Sequence, residues 1–341
     1  MDWSKGYSVS YYMTLVDVNT WRDIERIELT GGSISRGLGG LRQSASLDCS
    51  VYPPGIEQWV RVWMNVDQAG DHEHIVLFTG LATSPGREQE GVIETHSLEC
   101  YSVLKAVDDV YPLRGWYAPM GAKSGDVIKE LLSVSPAPVI IEENSPILSD
   151  NIIAMDDDTN LSMIERLLVA MSANEYWDLR IEGDGSIYVG PTSGDTVVTF
   201  DPIENPVIEP KISTSSDWFS CPNVFMAINN DVVAIARDED ANSLLSIPNR
   251  GREVWMRETG CDLADNETTE QYAFRRLHEE QSIQQIASYD RRYIPNVLPG
   301  DYIRMHYPEQ NLDGVFRIRS QNIELSYSAT TSEEIETEGY L

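Results

Sequence analysis

Through residues 7–112, apolar and polar side chains either alternate or run together in short β-branched and aromatic blocks, the pattern of partly buried strands. Tyr7–Val16, Val60–Val66 and His74–Leu81 are the clearest such segments. Gly31-Gly32, Gly39-Gly40, Pro53-Pro54-Gly55 and Ser84-Pro85-Gly86 separate them as turns. Short strands punctuated this regularly predict a β-sandwich or barrel.

From residue 113 the period changes. Ser124–Leu132 places Val127, Ile128, Leu131 and Leu132 on one helical face, with Ser124 as the predicted N-cap. A second helix is predicted over Asn160–Asn174, with the stripe Leu161, Ile164, Leu167, Leu168 and Met171. Ser162 and Glu165 have capping-box spacing near its start. Tyr176–Glu182, Gly183-Asp184-Gly185 and Ser186–Val189 read as strand, tight turn, strand, with glycine where positive φ is needed. Residues 113–205 therefore form a predicted α+β unit. Asp201-Pro202, Asn205-Pro206 and Glu209-Pro210 mark a rigid crossing. Beyond it, strands are expected at Asn223–Ile228, Asp231–Ala236, 283–289, 302–307 and 315–325. One helix is expected from Thr268 to Gln281, with Thr268 and Gln271 as its capping pair and Tyr272, Ala273 and Leu277 inward. Residues 328–341 are acidic and poor in apolar groups, and are expected to form a flexible tail.

Charge is the most unusual bulk property. The 341-residue chain has 55 Asp plus Glu against 25 Lys plus Arg, a formal net charge of −30. Duplex DNA and anionic membranes would be repelled. No run of about 18 apolar residues predicts a membrane-spanning helix, so no membrane insertion is expected. No basic-then-apolar leader pattern opens the chain, so it is expected to fold where it is made. Cys49, Cys100, Cys221 and Cys261 are too scattered for a C-x-x-C pair and read as reduced, buried thiols.

The search for chemistry assigns no catalytic, cofactor-binding or metal-ligating residue. Asp156, Asp158 and Asn160 alternate as in a calcium loop, but Leu161 and Leu167 stand where that motif needs Gly and Glu. Helix capping is the better reading of these residues. His72 and His74 share one strand face, without an indicated third ligand. Gly37-Leu38-Gly39-Gly40 lacks both the dinucleotide fingerprint and its βαβ setting, Gly194-Asp195 is no nucleophile elbow, and there is no P-loop. With 55 carboxylates, a glycosidase-like pair is expected by chance. The 16 Tyr and 8 Trp could serve sugar stacking, but they fall mainly in strand patterns where core or interface packing is expected.

The order of segments carries more information. Glu28–Arg36 with Ser44–Cys49, Val60–Trp63 with Leu77–Leu81, and Leu98–Lys105 resemble the first barrel of phage tail baseplate hub proteins, a family related to the hub domain of type VI secretion spikes. Asn151–Ala154, Asn160–Leu168 and Gly183–Pro191 look like that family's insert. Cys221–Val224, Ala273–Leu277, Ile294–Tyr302 and Gly314–Leu325 resemble its C-terminal third. The resemblance covers residues 28–327 through short motifs. It implies a mainly β fold: two tube-like β-barrel domains, 1–112 and 206–327, flanking the α+β insert 113–205. It also implies a non-enzymatic hub that forms a homotrimer with pseudo-sixfold symmetry. The implied partners are the tail tube or distal tail protein, the tip spike or fibre protein and the tape measure protein, with genomic DNA passing through the lumen unbound. The implied place is the virion tail tip, reached by assembly in the host cytoplasm. A carbohydrate-binding tail-tip or surface-recognition protein is the alternative from another class. A cell-wall hydrolase is the third.

Overall fold

The computed structural model describes residues 1–341 except 2, 4, 52–56, 91–92, 173–175, 204–208, 216–218, 230, 262, 264–266, 282–285, 311 and 337–341. The expected turn Pro53-Pro54-Gly55 and the Asn205-Pro206 step lie outside the described residues. The chain divides into two compact units, residues 1–212 with 288–335, and residues 213–287 with 336–341.

The first unit opens with β1 (Ser8–Asp17), β2 (Arg22–Gly37), β3 (Gln43–Cys49), β4 (Gln58–Gln68), β5 (Asp71–Glu90) and β6 (Ile93–Ser102). They pair in the order β1-β4-β5-β6-β3-β2, and β2 returns to β1, so six strands close a barrel. The sequence explains which side faces in. In β3, Ala45, Leu47 and Cys49 are buried while Ser46 and Asp48 are exposed. In β4, Val60, Val62, Met64 and Val66 meet Met13, Leu77, Phe78 and Leu98 in the same core. Closure needs curvature, and bulges supply it in the β1/β2, β2/β3, β4/β5 and β5/β6 pairings. In the β4/β5 bulge Val62 pairs with Phe78 and Trp63 with Val76, leaving Leu77 as the extra residue. Leu77 and Phe78 are therefore both buried although adjacent in sequence. Gly32 (φ 130°) pairs with Leu47, and a Cβ on it would overlap the Ser46 carbonyl.

An α+β insert follows: α1 (Lys105–Asp108), β7 (Tyr117–Ala118), α2 (Ser124–Leu132), β8 (Val139–Ile141), β9 (Ile152–Ile153), α3 (Asn160–Met171), β10 (Trp177–Ile181) and β11 (Ile187–Pro191). β10 and β11 form the expected hairpin, and β8 joins β11 in parallel. Ile128, Leu131 and Leu132 of α2 pack with Leu161, Ile164 and Leu167 of α3 in one core. Two caps differ from expectation. Thr159 caps α3, accepting from the Ser162 amide at 3.1 Å while the Ser162 hydroxyl receives the Thr159 amide at 2.9 Å. Ser124 begins α2 rather than preceding it, and its hydroxyl donates to the Pro146 carbonyl at 2.6 Å.

β12 (Thr196–Phe200) and β13 (Glu209–Ser215) leave the insert for a second sheet. The second unit comes next in the chain. β14 (Val224–Asn229) pairs with β15 (Val232–Arg237) in a hairpin and with β16 (Trp255–Thr259) in parallel, with α4 (Ile247–Arg250) between β15 and β16. α5 (Thr269–Gln281) carries the expected cap: Gln271 N donates to Thr268 Oγ1 at 3.2 Å and Thr268 N to Gln271 Oε1 at 2.9 Å. Its Tyr272, Ala273 and Leu277 pack on Phe225, Ala227, Ala234 and Ala236, and the alanines present little side-chain bulk to the helix.

The chain then completes the second sheet with β17 (Ile286–Arg292), β18 (Tyr302–Tyr307), β19 (Leu312–Glu324) and β20 (Thr330–Glu336). The six strands run β12-β18-β19-β20-β17-β13. The last residues of β19, Ser320–Glu324, pair with Ser33–Gly37 of β2, so one ladder joins barrel and sheet. The fold class is mainly β with an α+β insert, as expected. Strand pairing nevertheless runs across the expected divisions. β12 belongs to the second sheet and not to the 113–205 segment, and residues 213–287 form a compact unit of their own inside 206–327. The tail expectation for 328–341 is corrected over Thr330–Glu336. This segment is a strand that buries Thr331, Glu333 and Ile335. Its inward positions are polar because an arginine, described below, awaits one of them.

Candidate functional site

The motifs singled out in the sequence have structural uses. Asp158 accepts from the Met155 amide at 2.7 Å and the Ser162 hydroxyl at 3.1 Å, and pairs with Arg166 at 2.9 Å. These bonds fix the turn into α3. His72 and His74 do lie on one face of β5, but each ring turns to its neighbour on β4, His72 to Asp67 and His74 to Asn65 at 2.6 Å. Among the described residues, no group of three or more His, Cys, Asp or Glu is placed to hold a metal. No described helix is long and apolar enough to cross a membrane. Several of the aromatic residues are engaged with one another, while others, among them Tyr111, Phe219, Phe274 and Tyr327, are exposed. Tyr12 stacks on Trp63 with ring centroids 6.1 Å apart and carries Arg26 over its ring at 3.9 Å. Trp21 and Trp59 pack at 5.5 Å. A free aromatic platform for a sugar ring is not what these pairs present.

The most heavily built region of the first unit is the joint between barrel, insert and second sheet. The hairpin turn 182–186 sits on the barrel wall. Thr79 Oγ1 donates to the Gly183 carbonyl at 2.8 Å, while Trp21 Nε1 and Arg61 Nη2 donate to the Asp184 carbonyl at 3.0 and 3.3 Å. Arg61 also binds Asp23 at 2.7 Å. Gly185 has the expected positive φ of 85°. Gly183 is glycine for another reason: a Cβ there would overlap the Val76 carbonyl of β5.

Behind that turn, Arg42 bridges to Asp178 of β10 at 2.9 Å, with the two side chains 9% and 6% exposed. Gln43 Nε2 donates to the Ile181 carbonyl at 2.8 Å. Arg180, also of β10, bridges to Asp301 at 3.0 Å, reaching the turn before β18. Burial pushes the Asp301 carboxyl above its ordinary range, outweighing the pull of the Leu298 amide and Arg180. The Gly37–Gly40 segment earns its glycines as the β2–β3 turn, with Gly39 at φ 79° and Gly40 at φ 54°. The Gly40 amide donates to Glu165 of α3 at 2.7 Å, so Glu165 ties two elements together instead of capping its helix. This set of ion pairs and carbonyl contacts positions three blocks against one another. It contains no nucleophile beside a base. Sequence reading missed Asp178 and Arg180 because their polar residue types sit in a strand whose other members, Trp177, Leu179 and Ile181, are buried.

No family model and no curated protein matches the sequence. Solved structures do match the fold. The tail protein of Neisseria meningitidis MC58 superposes with a TM-score of 0.69 at 14% identity, covering 98% of both chains. The 43 kDa tail protein of prophage MuSo2 from Shewanella oneidensis gives 0.69 at 12% identity, covering 96% of this chain and 98% of that one. An Escherichia coli component of the type VI secretion system, itself similar to T4 bacteriophage tail proteins, gives 0.51 at 9% identity over 92% of this chain and 74% of the other. The expected resemblance thus holds at the level of fold: a closed barrel, an α+β insert and a second sheet superpose on these tail proteins and on this type VI secretion component.

Proposed function

We propose that the chain is a non-enzymatic structural subunit of a phage-type tail tip, a baseplate hub. The observation that supports this most is the pairing of two six-stranded β units in one chain, linked through β2 and β19. Three copies would then supply six wall segments, matching a sixfold tail tube on one side and a threefold spike or fibre on the other. Tube or distal tail protein, spike or fibre protein and tape measure protein are the proposed neighbours. The proposed place is the virion tail tip, after assembly in the host cytoplasm.

In this reading the charge of −30 per chain acts on the cargo. A lumen wall of the same sign as DNA repels the phosphates and keeps the genome sliding. Light scattering and negative-stain imaging of the purified full chain test the assembly directly. Expected is the mass of three chains in a threefold ring with a central opening. A monomer that stays monomeric at high concentration, and when mixed with its tube subunit, overturns the reading.

A further inference from the structure

At the joint between barrel, insert and second sheet lies a cavity of about 20 Å³. Its charged lining is entirely cationic: Arg36 and Arg42 from the two sides of the β2–β3 turn, and Arg180 from β10, with no carboxylate among the lining residues. Arg42 and Arg180 have carboxylate partners in Asp178 and Asp301. Arg36 has none. It is 5% exposed, and its one hydrogen bond runs from Nη2 to the Leu77 carbonyl at 2.5 Å, on the bulge residue of β5. Arg36 Nε and Nη1 are buried without a partner, and so is Arg42 Nε. A guanidinium held this deep with two N–H groups unpartnered and no carboxylate in direct contact is costly, and buried charges in folded proteins are normally paired at hydrogen-bond distance.

We propose that this cavity binds a single monatomic anion of the chloride class, held by Arg36 and Arg42. Size argues for one small occupant, since the space is about that of one water and too small for sulfate or phosphate. Charge argues for an anion over water. Three unpartnered N–H donors belong to two cations of the lining, and neither lining cation's unpartnered donors meet a carboxylate. Gln43 Oε1 is the one unpartnered acceptor in the lining, and a water beside the anion suits it. The backbone is consistent with a built site. Arg42 sits at φ 59°, a conformation few side chains adopt, and is held there by its amide bond to the Gly39 carbonyl and its bridge to Asp178. The anion would act as a rivet: it neutralises the point where barrel, insert and second sheet meet. This inference does not depend on the hub reading.

The test uses the full chain crystallised in bromide in place of chloride, with anomalous diffraction at the bromine edge. A bromide peak in the cavity within contact distance of Arg36 is expected. Water-level density without an anomalous peak overturns the proposal. In solution, the thermal midpoint at constant ionic strength should rise saturably as chloride replaces gluconate, by about 5 °C or more when chloride reaches a hundredfold above its dissociation constant. The same titration on Arg36→Gln should be flat. If that variant fails to fold, the wild-type bromide map decides alone, and equal midpoints in chloride and gluconate also count against the site.

Discussion

Replacing Glu333 by Gln removes one charge from the interior of the second sheet without changing its volume. Glu333 is fully buried and receives four hydrogen bonds. Arg291 contributes two, Nε at 2.8 Å and Nη2 at 2.5 Å; the Tyr289 hydroxyl donates at 2.5 Å and Gln321 Nε2 at 2.5 Å. Arg291 is equally enclosed, with its side chain 2% exposed. The substitution leaves an unpaired guanidinium and turns one acceptor oxygen into an amide donor facing other donors. Breaking a buried pair from one side costs about 3–5 kcal/mol. At about 2–4 °C per kcal/mol for a unit of this size, the first unit should melt roughly 10 °C earlier. Urea and thermal unfolding followed by tryptophan fluorescence would read this. The double variant Arg291→Met/Glu333→Leu should recover most of the loss, because it removes the charge along with its partner. A Glu333→Gln protein within about 1 kcal/mol of wild type, or a double variant as unstable as the single, would refute the argument that charge compensation holds this strand in place.

Three further outcomes are expected. Gly183→Ala should lower the first unit's urea midpoint, since its Cβ would meet the Val76 carbonyl, whereas Gly194→Ala, with nothing nearby, should not. Asn223→Ala should destabilise the second unit by about 3 kcal/mol in a urea melt: the amide donates to the Leu245 and Arg252 carbonyls at 3.1 and 2.9 Å and accepts the Val254 amide at 2.7 Å, and its loss orphans buried groups. Asp301 has a raised pKa in the folded chain, so the folded state binds its proton more readily than the unfolded state; stability from this group grows as pH falls through that raised pKa toward the ordinary carboxyl value, and thermal melts should show that slope reduced in Asp301→Asn.

Much of this fold was legible in the sequence, for physical reasons that can be named. Strand alternation in β3 and β4 reports burial directly, because the inward side chains Ala45, Leu47 and Cys49 and Val60, Val62, Met64 and Val66 are apolar. The stripes of α2, α3 and α5, and the Thr268/Gln271 cap, also carry their structure in residue type. Legibility fails where burial is electrostatic. Thr330–Glu336 reads as a polar tail since Thr331 and Glu333 take the inward places that apolar residues usually fill, and the reason, Arg291, lies 42 positions away. Asp178 hides for the same reason behind Arg42. The division of the second sheet around residues 213–287 was equally hidden, because strand order depends on pairings such as β12 with β18 that no local pattern encodes. The Gly183 signal was present, but its cause was a neighbouring wall and not a dihedral angle.

The continuity of β2 has a mechanical consequence. Its residues Ser33–Arg36 ladder to β3 of the barrel on one edge and to β19 on the other, so the same stretch of backbone is stitched into two sheets. A load applied along that direction meets all five rungs of the β2–β19 seam in shear at once, instead of peeling them singly. Torque delivered to the barrel therefore reaches the neighbouring sheet without an intervening hinge, and the pair behaves as a stiff coupling rather than a flexible joint.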